Sequence, residues 1–409
     1  MYMQLTNGNV FWTKKSQIKN TYPYLTKDIS CDVLVVGGGI TGALTAYYLA
    51  KEGMNVVVVE KNIIGYGSTS ATTAILEYSV DIDLYKLEKT LGSHNSKRIY
   101  QLCLETISDI ENIDKELGKK SDFRKKDSMY FTNKLMQKSN MVKEYETRKK
   151  AGFDVNFIEQ NGTININCGI LTKNAGADID PYKFTSEIFE YLNTLDNVKV
   201  FENTEVKNIK CNYDNVICST NNKFKIKANK LIFASGFETL QYIKTNIVSW
   251  YKTFCIITKP IPELNKLDTS FVMRDMCEPY HYIRFTKDNR IIFGGEDVKM
   301  SSKMADEKSL ISVSKDKYAK LNSSLHKLFH NIDNIEIEYS FNGTFANTLD
   351  TLPIIDEIED MPNCFCNLGY GANGILFSVI GAKILKDAVK GLYTKDMKMF
   401  SIKRNSWLN

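Results

Sequence analysis

The chain has 409 residues, of which 43% are apolar and 25% are charged, and its formal net charge is +5. The length suits two domains that share a ligand cleft, and the composition is ordinary for a soluble globular protein. Because the lysines alternate with acidic residues, the small positive charge gives no argument for a nucleic-acid or membrane-binding face.

The sequence shows neither a membrane segment nor a cysteine pattern for a metal. No run of about eighteen apolar residues occurs, and residues 1–10 lack the basic and apolar segments of a signal peptide. The nine cysteines include no CxxC, and Cys364 and Cys366 are too close together for an ordinary metal-ligand pair. We therefore expect a cytoplasmic protein with reduced thiols and no bound metal.

After an irregular arm of thirty residues, the segment 31–61 predicts a βαβ unit. A β-branched run ends in a glycine-rich turn, a helical pattern follows, and a run of valines ends at Glu60. In such a turn Gly37 permits the tight bend, Gly39 lets the backbone approach a pyrophosphate, and Gly42 lets the helix pack against the strand. The helix N-terminus favours phosphate, and the Glu60 carboxylate can accept both hydroxyl groups of an adenosine ribose. The unit predicts a dinucleotide site.

Two further loops are candidates for contact with a cofactor. A loop of glycine and small hydroxyl residues, 65–74, follows the unit directly. Its backbone N–H groups and hydroxyl groups can surround a phosphate or the edge of a ring, and a plain connector is the alternative interpretation. Near the end of the chain, the glycine-rich turn 369–374 leads into an apolar helix, whose N-terminus can also face a cofactor.

The remaining segments alternate between helical and extended patterns. Asp180 is expected as a helix N-cap, with Pro181 at the first helical position. The other predicted helices are 84–117, 135–150, 308–329 and the segment after 374. The predicted strands include 129–131, a series over 198–234 and a second series over 250–295.

In this order, the motifs resemble the D-amino-acid oxidase (DAO) family of FAD-dependent oxidoreductases, with its glycine oxidases, sarcosine oxidases, gamma-glutamylputrescine oxidases and D-amino-acid dehydrogenases. The resemblance extends from about residue 28 to the C-terminus. It rests on the glycine motif, the hydroxyl loop and two late motifs, which have no counterpart in NAD dehydrogenases with a single glycine motif. The segments that carry it are 35–42, 68–74, 177–181, 204–206, 232–236, 343–353 and 369–374.

The resemblance implies an α/β fold with mixed α+β character. A Rossmann-like FAD-binding domain of the glutathione-reductase type, discontinuous in sequence, would lie beside a substrate domain with a mixed sheet. The implied parts are an N-terminal arm (1–27), the FAD-binding domain (28–80, 150–240 and 345–395), the substrate domain (81–149 and 241–344) and a C-terminal tail (396–409).

FAD is the implied cofactor, with Glu60 at the adenosine ribose and Val206 at the adenine. It would be bound non-covalently, because no cysteine lies between Cys277 and Cys364, where sarcosine oxidase attaches its FAD. The residues implied to bind FAD are Gly37, Gly39, Ile40, Thr41, Gly42, Glu60, Lys61, Gly67, Ser68, Thr69, Ser70, Thr72, Thr73, Val206, Ser235, Gly236, Gly369, Gly371, Ala372, Asn373, Gly374 and Ile375.

The implied reaction is the oxidation of a C–N bond in an amine or amino acid. A hydride would pass to the flavin, the imine would hydrolyse, and oxygen or an unknown carrier would reoxidise the flavin. The alternatives are a flavin subunit of an electron-transferring complex, a tRNA-modifying member of the family, and an NAD-dependent dehydrogenase, which the two late motifs disfavour.

The substrate site departs from the family pattern. Amino-acid-oxidising relatives have an arginine about two residues after the glycine of the first late motif and often another in the last motif, where this chain has Phe345 and Ala372. We therefore expect simple amino acids to be poor substrates and a larger or secondary amine to fit better. Arg274 or Arg284 would hold any acid group of the substrate at a distance, and the alternative for Arg284 is an ion pair with Asp275 or Asp297. No catalytic residue is identified, and the candidates for the pocket are Tyr282, Arg284, Arg274, His281, Phe345 and Tyr370.

Overall fold

The computed structural model describes residues 6–17, 20–243, 247–300, 307–369, 371 and 373–404, which form two sheets with flanking helices. The strands are β1 Thr6–Gly8, β2 Ile29–Val36, β3 Val56–Val59, β4 Ile75–Glu77, β5 Arg124–Thr132, β6 Val155–Ile158, β7 Cys168–Asp178, β8 Val198–Phe201, β9 Val206–Cys211, β10 Val216–Thr220, β11 Lys225–Phe233, β12 Val248–Thr258, β13 Phe271–Asp275, β14 His281–Phe285, β15 Ile291–Lys299, β16 Ile337–Thr348, β17 Ile354–Glu357 and β18 Cys364–Leu368. The α-helices are α1 Phe11–Lys15, α2 Ile40–Lys51, α3 Leu84–Glu116, α4 Lys138–Lys150, α5 Pro181–Leu192, α6 Glu307–Leu328, α7 Gly374–Ala388 and α8 Lys395–Met399. Short 3₁₀ helices are Ser68–Ala71, Leu135–Gln137, Gly236–Tyr242 and Pro262–Lys266.

The smaller sheet has the strand order of a dinucleotide-binding fold. Its order is β17-β18-β11-β2-β3-β8, and β10 and β9 continue from β11. Strands β18, β11, β2, β3 and β8 run parallel, and all four valines of β3 are buried, as is usual in a sheet covered on both faces. Ligands of such sheets bind beyond the carboxyl ends of the strands. The loops after β2, β3 and β11 therefore define the place where a dinucleotide can bind.

The larger sheet has two faces with different partners. Its order is β1-β16-β12-β15-β14-β13-β5-β7-β4, with β6 beside β7. One face packs on α6, where Phe254 and Ile256 share a core with Leu321 and Leu325. Side chains of the opposite face, such as Cys255, belong to the same core as α2, α3 and α7. We call this opposite face the inner face, since it is the one turned towards the helices of the dinucleotide-binding half.

The predicted α/β fold class is confirmed, and local signals identified several elements well. Asp180 caps α5 as expected, because its Oδ1 accepts hydrogen bonds from the backbone N–H groups of Tyr182 and Lys183 at 3.1 and 3.0 Å. The helix predicted from residue 84 to 117 is α3, which bends at Gly92, where φ is +76°. Glycine adopts this conformation without the steric cost that other residues meet.

The structure differs from the sequence-based expectations in two places. The N-terminal arm is not wholly irregular, because β1 pairs with β16 and α1 buries Trp12, which is only 1% exposed. Strands β4, β6 and β7, which lie in ranges expected for the FAD-binding domain, belong to the larger sheet, where β7 pairs with β4, β5 and β6. Both features depend on pairing between distant segments, which local periodicity does not reveal.

The cysteines and the helices bear on the compartment and membrane expectations. All nine cysteines are free thiols. The sulfur atoms of Cys211 and Cys364 lie 3.6 Å apart and form no disulfide bond. Among the helices of the described residues, none has the length and apolar character that crossing a bilayer requires.

Candidate functional site

The turn after β2 leaves no room for side chains. Gly37 has φ of +119°, and a Cβ there would lie 2.5 Å from the carbonyl oxygen of Ala234. A Cβ on Gly42 would lie only 1.9 Å from the carbonyl oxygen of Gly37. Helix α2 therefore starts directly against the turn, with Gly39 as its N-cap. Its N-terminal N–H groups and the bare backbone form a site that suits a pyrophosphate.

Glu60 lies at the end of β3, beside this turn. Its Oε2 accepts a hydrogen bond from the Gly38 N–H at 2.8 Å, and its Oε1 accepts one from the Asn62 N–H at 2.8 Å. Burial raises the pKa of the Glu60 carboxyl, and these two N–H groups partly oppose that effect. The neighbouring Lys61 forms an ion pair with Glu238. Glu60 thus has the position that a ribose-binding carboxylate occupies in a βαβ unit.

Two short segments border the Glu60 carboxylate and the glycine turn. The Thr204 N–H donates to the backbone carbonyl of Glu60 at 2.8 Å, and Val206 follows as the first residue of β9. On the other side, Ser235 begins the 3₁₀ turn after β11, and its Cα would be 3.0 Å from a Cβ on Gly37. The residues implied for adenosine binding are therefore near one another in the structure.

The hydroxyl loop lies over the start of α2 and is held by distant segments. Thr69 Oγ1 accepts a hydrogen bond from the Ile40 N–H at 3.0 Å. The indole Nε1 of Trp12 donates to the carbonyl oxygen of Thr72 at 2.7 Å. Arg284 Nη1 donates to the carbonyl oxygen of Thr73 at 3.0 Å. Hydrogen bonds to α1, α2 and β14 thus hold the loop in place beside the glycine turn.

Within this loop, the remaining implied FAD residues have local roles. Ser70 Oγ donates to the carbonyl oxygen of Gly67 at 2.9 Å, which closes the turn. Ser68 starts the 3₁₀ helix and is exposed. On α2, Thr41 Oγ1 lies 2.7 Å from Ser378 Oγ of α7, so the two helices that flank the turn are linked.

The late glycine turn approaches the same region from α7. Asn373 Nδ2 donates to the carbonyl oxygens of Glu77 and Ser79 at 3.0 and 2.8 Å. A Cβ on Gly369 would lie 2.6 Å from the carbonyl oxygen of Gly374, so the turn is closed tightly. Ile375, in the first turn of α7, is buried. Two predicted residues of this turn, Tyr370 and Ala372, lie outside the described residues.

Gly371 marks the point where the late turn meets the larger sheet. A Cβ at this position would lie 2.8 Å from the Thr351 carbonyl oxygen, 3.6 Å from Asp81 Oδ2 and 3.7 Å from Asn347 Oδ1. Asn347 Oδ1 and Thr351 Oγ1 are buried without a hydrogen-bond partner among the described residues. Polar atoms of this kind need a partner, and the ring of a flavin carries both donors and acceptors. The glycine cradle and these two atoms therefore fit FAD.

The inner face carries the predicted pocket residues of β13 and β14. Tyr282 OH lies 2.6 Å from Thr253 Oγ1 of β12. Arg274 lies 4.7 Å from the centroid of the Tyr130 ring, and its Nη1 is 4.0 Å from Asp81 Oδ1. The Nε and Nη2 atoms of Arg274 are buried without a hydrogen-bond partner in the described part of the chain. Arg274 therefore retains hydrogen-bonding capacity towards a ligand.

Arg284 has different partners from the two acids named as alternatives. Its Nη1 donates to the carbonyl oxygens of Thr73, Ala74 and Ile179 at 3.0, 3.0 and 2.8 Å, and its Nη2 is 3.6 Å from Asp178 Oδ1. The pairing with Asp275 or Asp297 is therefore wrong. Burial lowers the pKa of Arg284 and the nearby Asp178 raises it in part. Through these contacts Arg284 connects β14 to the hydroxyl loop and to the end of β7.

His281 points away from the inner face, towards the core that contains α6. Its ring stacks on Phe293 at 5.2 Å, and its Nδ1 is 2.7 Å from Asp275 Oδ2. Burial lowers the pKa of His281, but its hydrogen bonds with Asp275 and Cys277 outweigh burial and raise the pKa to about 10. Although these three side chains place ligand-type atoms within 4.8 Å of one another, the hydrogen bonds account for their approach.

Phe345 packs on a residue that the sequence analysis did not single out. Its ring lies 5.5 Å from that of Tyr251, with 27° between the ring planes. Also missed were Asp81 and Thr253 as parts of the pocket. Thr253 could have been found from the sequence, because period-two alternation along β12 puts it on one face with Tyr251 and Cys255. Asp81 lies in a segment without periodicity, so nothing local indicates it.

Comparison with known proteins bears on the family, the fold and the cofactor. A family model described as DAO, FAD dependent oxidoreductase, matches residues 32–388. Gamma-glutamylputrescine oxidoreductase of Escherichia coli (strain K12) is 25% identical over 383 residues, which cover 90% of this chain and 85% of that protein. Glycine oxidase from Geobacillus kaustophilus superposes with a TM-score of 0.75 at 20% identity, covering 92% of this chain and 99% of that one. L-proline dehydrogenase from P. horikoshii gives a TM-score of 0.75 at 18% identity, covering 92% and 97%.

The family match covers most of the chain, including both glycine turns and the inner face between them. It settles the choice of cofactor in favour of FAD over NAD. The two solved structures share the fold, which agrees with the two-sheet architecture. This chain belongs to the DAO family of FAD-dependent oxidoreductases.

Proposed function

We propose that this protein oxidises a C–N bond of an amine that has no carboxylate beside the reacting carbon. Bound FAD would supply the acceptor for the hydride that leaves this carbon. The imine product hydrolyses in water to a carbonyl compound and an amine or ammonia. The residues of the chain then need only to bind the amine, orient it and keep it uncharged.

The observation that carries this proposal is the charge around the inner face. Glu77, Asp81 and Asp83 all lie close enough to Arg274 to interact with its charge. Asp297 adds a further acid and interacts with Asp81. A substrate carboxylate among these acids would be repelled, whereas a cationic amine would be attracted.

The aromatic pair of Phe345 and Tyr251 supports the same substrate class. Phe345 stacks on Tyr251 where amino-acid-oxidising relatives carry a carboxylate-binding arginine. The guanidinium of Arg284 is already bound to three carbonyl oxygens. A buried carboxylate without a partner costs several kcal/mol, so an amino acid whose carboxylate does not reach Arg274 would bind poorly here.

A larger amine could also bind to Arg274 on the inner face. The unpartnered Nε and Nη2 of Arg274 can bind an oxygen atom that lies at some distance from the reacting nitrogen. The E. coli relative is named for gamma-glutamylputrescine, which is an extended amine, and this agrees with the proposed class.

The proposal is tested by anaerobic reduction of the bound flavin. Primary amines, secondary amines, N-methyl amino acids, glycine and D-alanine are mixed with the holoenzyme, and the loss of flavin absorbance is followed. We expect an amine without an adjacent carboxylate to reduce the flavin at least tenfold faster than glycine or D-alanine. Faster reduction by glycine or D-alanine than by every bulkier amine would contradict the proposal.

A matched variant makes the test specific to the pocket. Phe345→Arg restores an arginine at the family position and should increase the rate with glycine or D-alanine relative to the wild type. Tyr213→Phe, which alters a side chain that is 93% exposed, serves as the control and should leave the order of substrates unchanged.

A further inference from the structure

Strand β15 contains a β-bulge where it pairs with β12. Two residues of β15, Glu296 and Asp297, face the single residue Thr253 of β12. Both Gly295 and Glu296 have positive φ, of +137° and +57°. A left-handed conformation is uncommon for a residue with a side chain, and bulges of this kind redirect side chains, often next to active sites.

The bulge exchanges the faces of the sheet that the two acids would occupy in a regular strand. Glu296 Oε2 is 2.8 Å from Lys317 Nζ of α6, so it lies on the α6 side of the sheet. Asp297 hydrogen-bonds with Thr253, whose Oγ1 lies 2.6 Å from Tyr282 OH on the inner face. The bulge therefore places the Asp297 carboxyl among the residues of the proposed substrate pocket.

The Asp297 carboxyl lacks a full set of partners. Its Oδ1 is shielded from solvent and has no hydrogen-bond partner among the described residues. Burial and the nearby Asp81 raise the pKa of Asp297 to about 7, and the Thr253 hydrogen bond opposes this. A carboxyl in this condition exchanges a proton readily near neutral pH, and its anionic form needs a cation nearby.

The groups around Asp297 suit a cationic ligand. Asp81 faces it from the segment before α3, where Tyr280 OH donates to Asp81 Oδ1 at 3.1 Å. The titratable groups that interact with Asp297 are Asp81, Tyr280 and Tyr282 on the inner face and His281 and Lys317 on the α6 side. A Cβ on Gly371 would lie 3.6 Å from Asp81 Oδ2, so Asp81 lies beside the late glycine turn, which is proposed to contact the flavin. Two acids and two phenols are suitable acceptors for the N–H groups of an ammonium ion.

We propose that Asp297 binds the ammonium group of the substrate and takes up its proton, so that the substrate is an uncharged amine when it is oxidised. This inference rests on the proposed amine oxidation. In the step, an N–H bond of the ammonium breaks and an O–H bond forms on the Asp297 carboxylate. The electron pair of the N–H bond stays on nitrogen, the ammonium becomes a neutral amine and the carboxylate becomes a neutral carboxyl group. The lone pair thus freed can stabilise the carbon from which the hydride leaves.

The experiment uses Asp297→Asn, which keeps the size of the side chain but removes its proton-accepting charge. The ligand for binding is tert-butylammonium, which has no hydrogen on the carbon next to nitrogen and cannot be oxidised. Its dissociation constant is measured from the change in the flavin spectrum of the holoenzyme between pH 6 and pH 9. We expect the variant to bind it at least tenfold more weakly at pH 8, where the wild-type carboxyl is ionised.

The pH dependence of flavin reduction is the second measurement. The wild-type rate with a reactive amine should rise through an inflection near pH 7, because Asp297 must be ionised to accept the proton. In Asp297→Asn this inflection should disappear, and the rate at pH 7 should fall on the order of a hundredfold. Glu296→Gln is the matched control, since it makes the same acid-to-amide change in the same bulge but on the α6 side.

Each outcome decides one question. An Asp297→Asn enzyme with wild-type affinity for tert-butylammonium and a wild-type pH profile overturns the role of Asp297, while reduction by amines would leave the proposed function intact. If no amine reduces the wild-type flavin although tert-butylammonium binds only to the wild type, the proposed function fails and the cation site stands. If Asp297→Asn does not fold, Thr253→Val replaces it, and its inflection should move above that of the wild type because a hydrogen bond that lowers the pKa of Asp297 is lost. An unmoved inflection in Thr253→Val would refute the assignment.

Discussion

At the scale of single residues, Glu60 shows how one carboxylate can serve two purposes. It accepts hydrogen bonds from the N–H groups of Gly38 and Asn62, which fix its position at the end of β3. A carboxylate has about four acceptor sites, so these two bonds leave capacity for the ribose hydroxyl groups of FAD. The backbone contacts hold the acid in place before the cofactor binds.

We therefore predict that Glu60→Gln weakens the binding of FAD. Hydrogen bonds to a charged group contribute roughly 1.5–3 kcal/mol, which corresponds to about a ten- to hundredfold change in affinity. Titration of the apoprotein with FAD, followed by the quenching of flavin fluorescence, measures this. Glu159→Gln, which alters an exposed acid paired with Lys138, is the control and should bind FAD as the wild type does. Equal affinities in Glu60→Gln and the wild type would mean that the carboxylate does not contact the ribose.

Residues also show where reasoning from sequence stops. The roles proposed for Gly37, Gly42 and Glu60 follow from local spacing, because turn, helix and strand end are neighbours in the chain. The partners of Arg284 do not, since the carbonyl oxygens of Thr73 and Ala74 lie more than two hundred positions away along the chain. Sequence could identify a buried arginine on a strand, but only the fold could show which oxygen atoms it meets.

At the scale of elements, the hydroxyl loop depends on a short helix from the N-terminal arm. Helix α1 places the Trp12 indole against Thr72, and the Arg284 guanidinium lies 5.3 Å from the centre of the Trp12 ring. Trp12 thus contacts both the loop and the arginine that ties the loop to β14. The arm therefore shapes the surface on which FAD is expected to lie, although it is distant in sequence from the glycine motif.

We predict that Trp12→Phe lowers the affinity for FAD about two- to tenfold. The phenylalanine ring keeps most of the packing, but the hydrogen bond to the Thr72 carbonyl is lost, at a cost of roughly 0.5–1.5 kcal/mol. The same fluorescence titration measures the affinity, and thermal unfolding of the apoprotein reports stability separately. A variant with reduced stability but unchanged FAD affinity would show that Trp12 supports the fold and not the loop.

Elements also explain why the bulge in β15 escaped the sequence analysis. Gly294 and Gly295 can indicate an irregular strand, but the positive φ of Glu296 arises from the pairing of β15 with β12. Strict alternation from Phe293, which faces the α6 core, would put Asp297 on the α6 side and Glu296 on the inner face, the reverse of what the bulge produces. The helix cap at Asp180 was predictable because its two capping hydrogen bonds, from Tyr182 and Lys183, lie within three residues.

At the scale of the whole molecule, the implied FAD-binding residues come from segments spread over the chain. The glycine turn and Glu60 belong to the smaller sheet, whereas the hydroxyl loop and the late turn contact β14 and β16 of the larger sheet. A cofactor bound to all of them stabilises the fold by linkage, by about 2.7 kcal/mol when free FAD is present at a hundred times its dissociation constant. Its mode of attachment therefore matters for the stability of the entire protein.

The last prediction is that this attachment is non-covalent. No cysteine occurs from residue 278 to 363, the stretch that contains the first late motif. Near the late turn, Cys103 hydrogen-bonds with Asn373, but burial raises the pKa of this thiol to about 12, so the nucleophilic thiolate is scarce.

Acid precipitation of the purified holoenzyme provides the measurement, because it unfolds the protein and releases any flavin that is not covalently bound. We expect the yellow colour in the supernatant, with FAD identified there by its absorbance and mass. An equal amount of free FAD added to the apoprotein before precipitation is the control for flavin carried down in the pellet. Colour that stays with the pellet beyond this control would show a covalent bond, and the mass of the labelled peptide would then identify the residue that holds the cofactor.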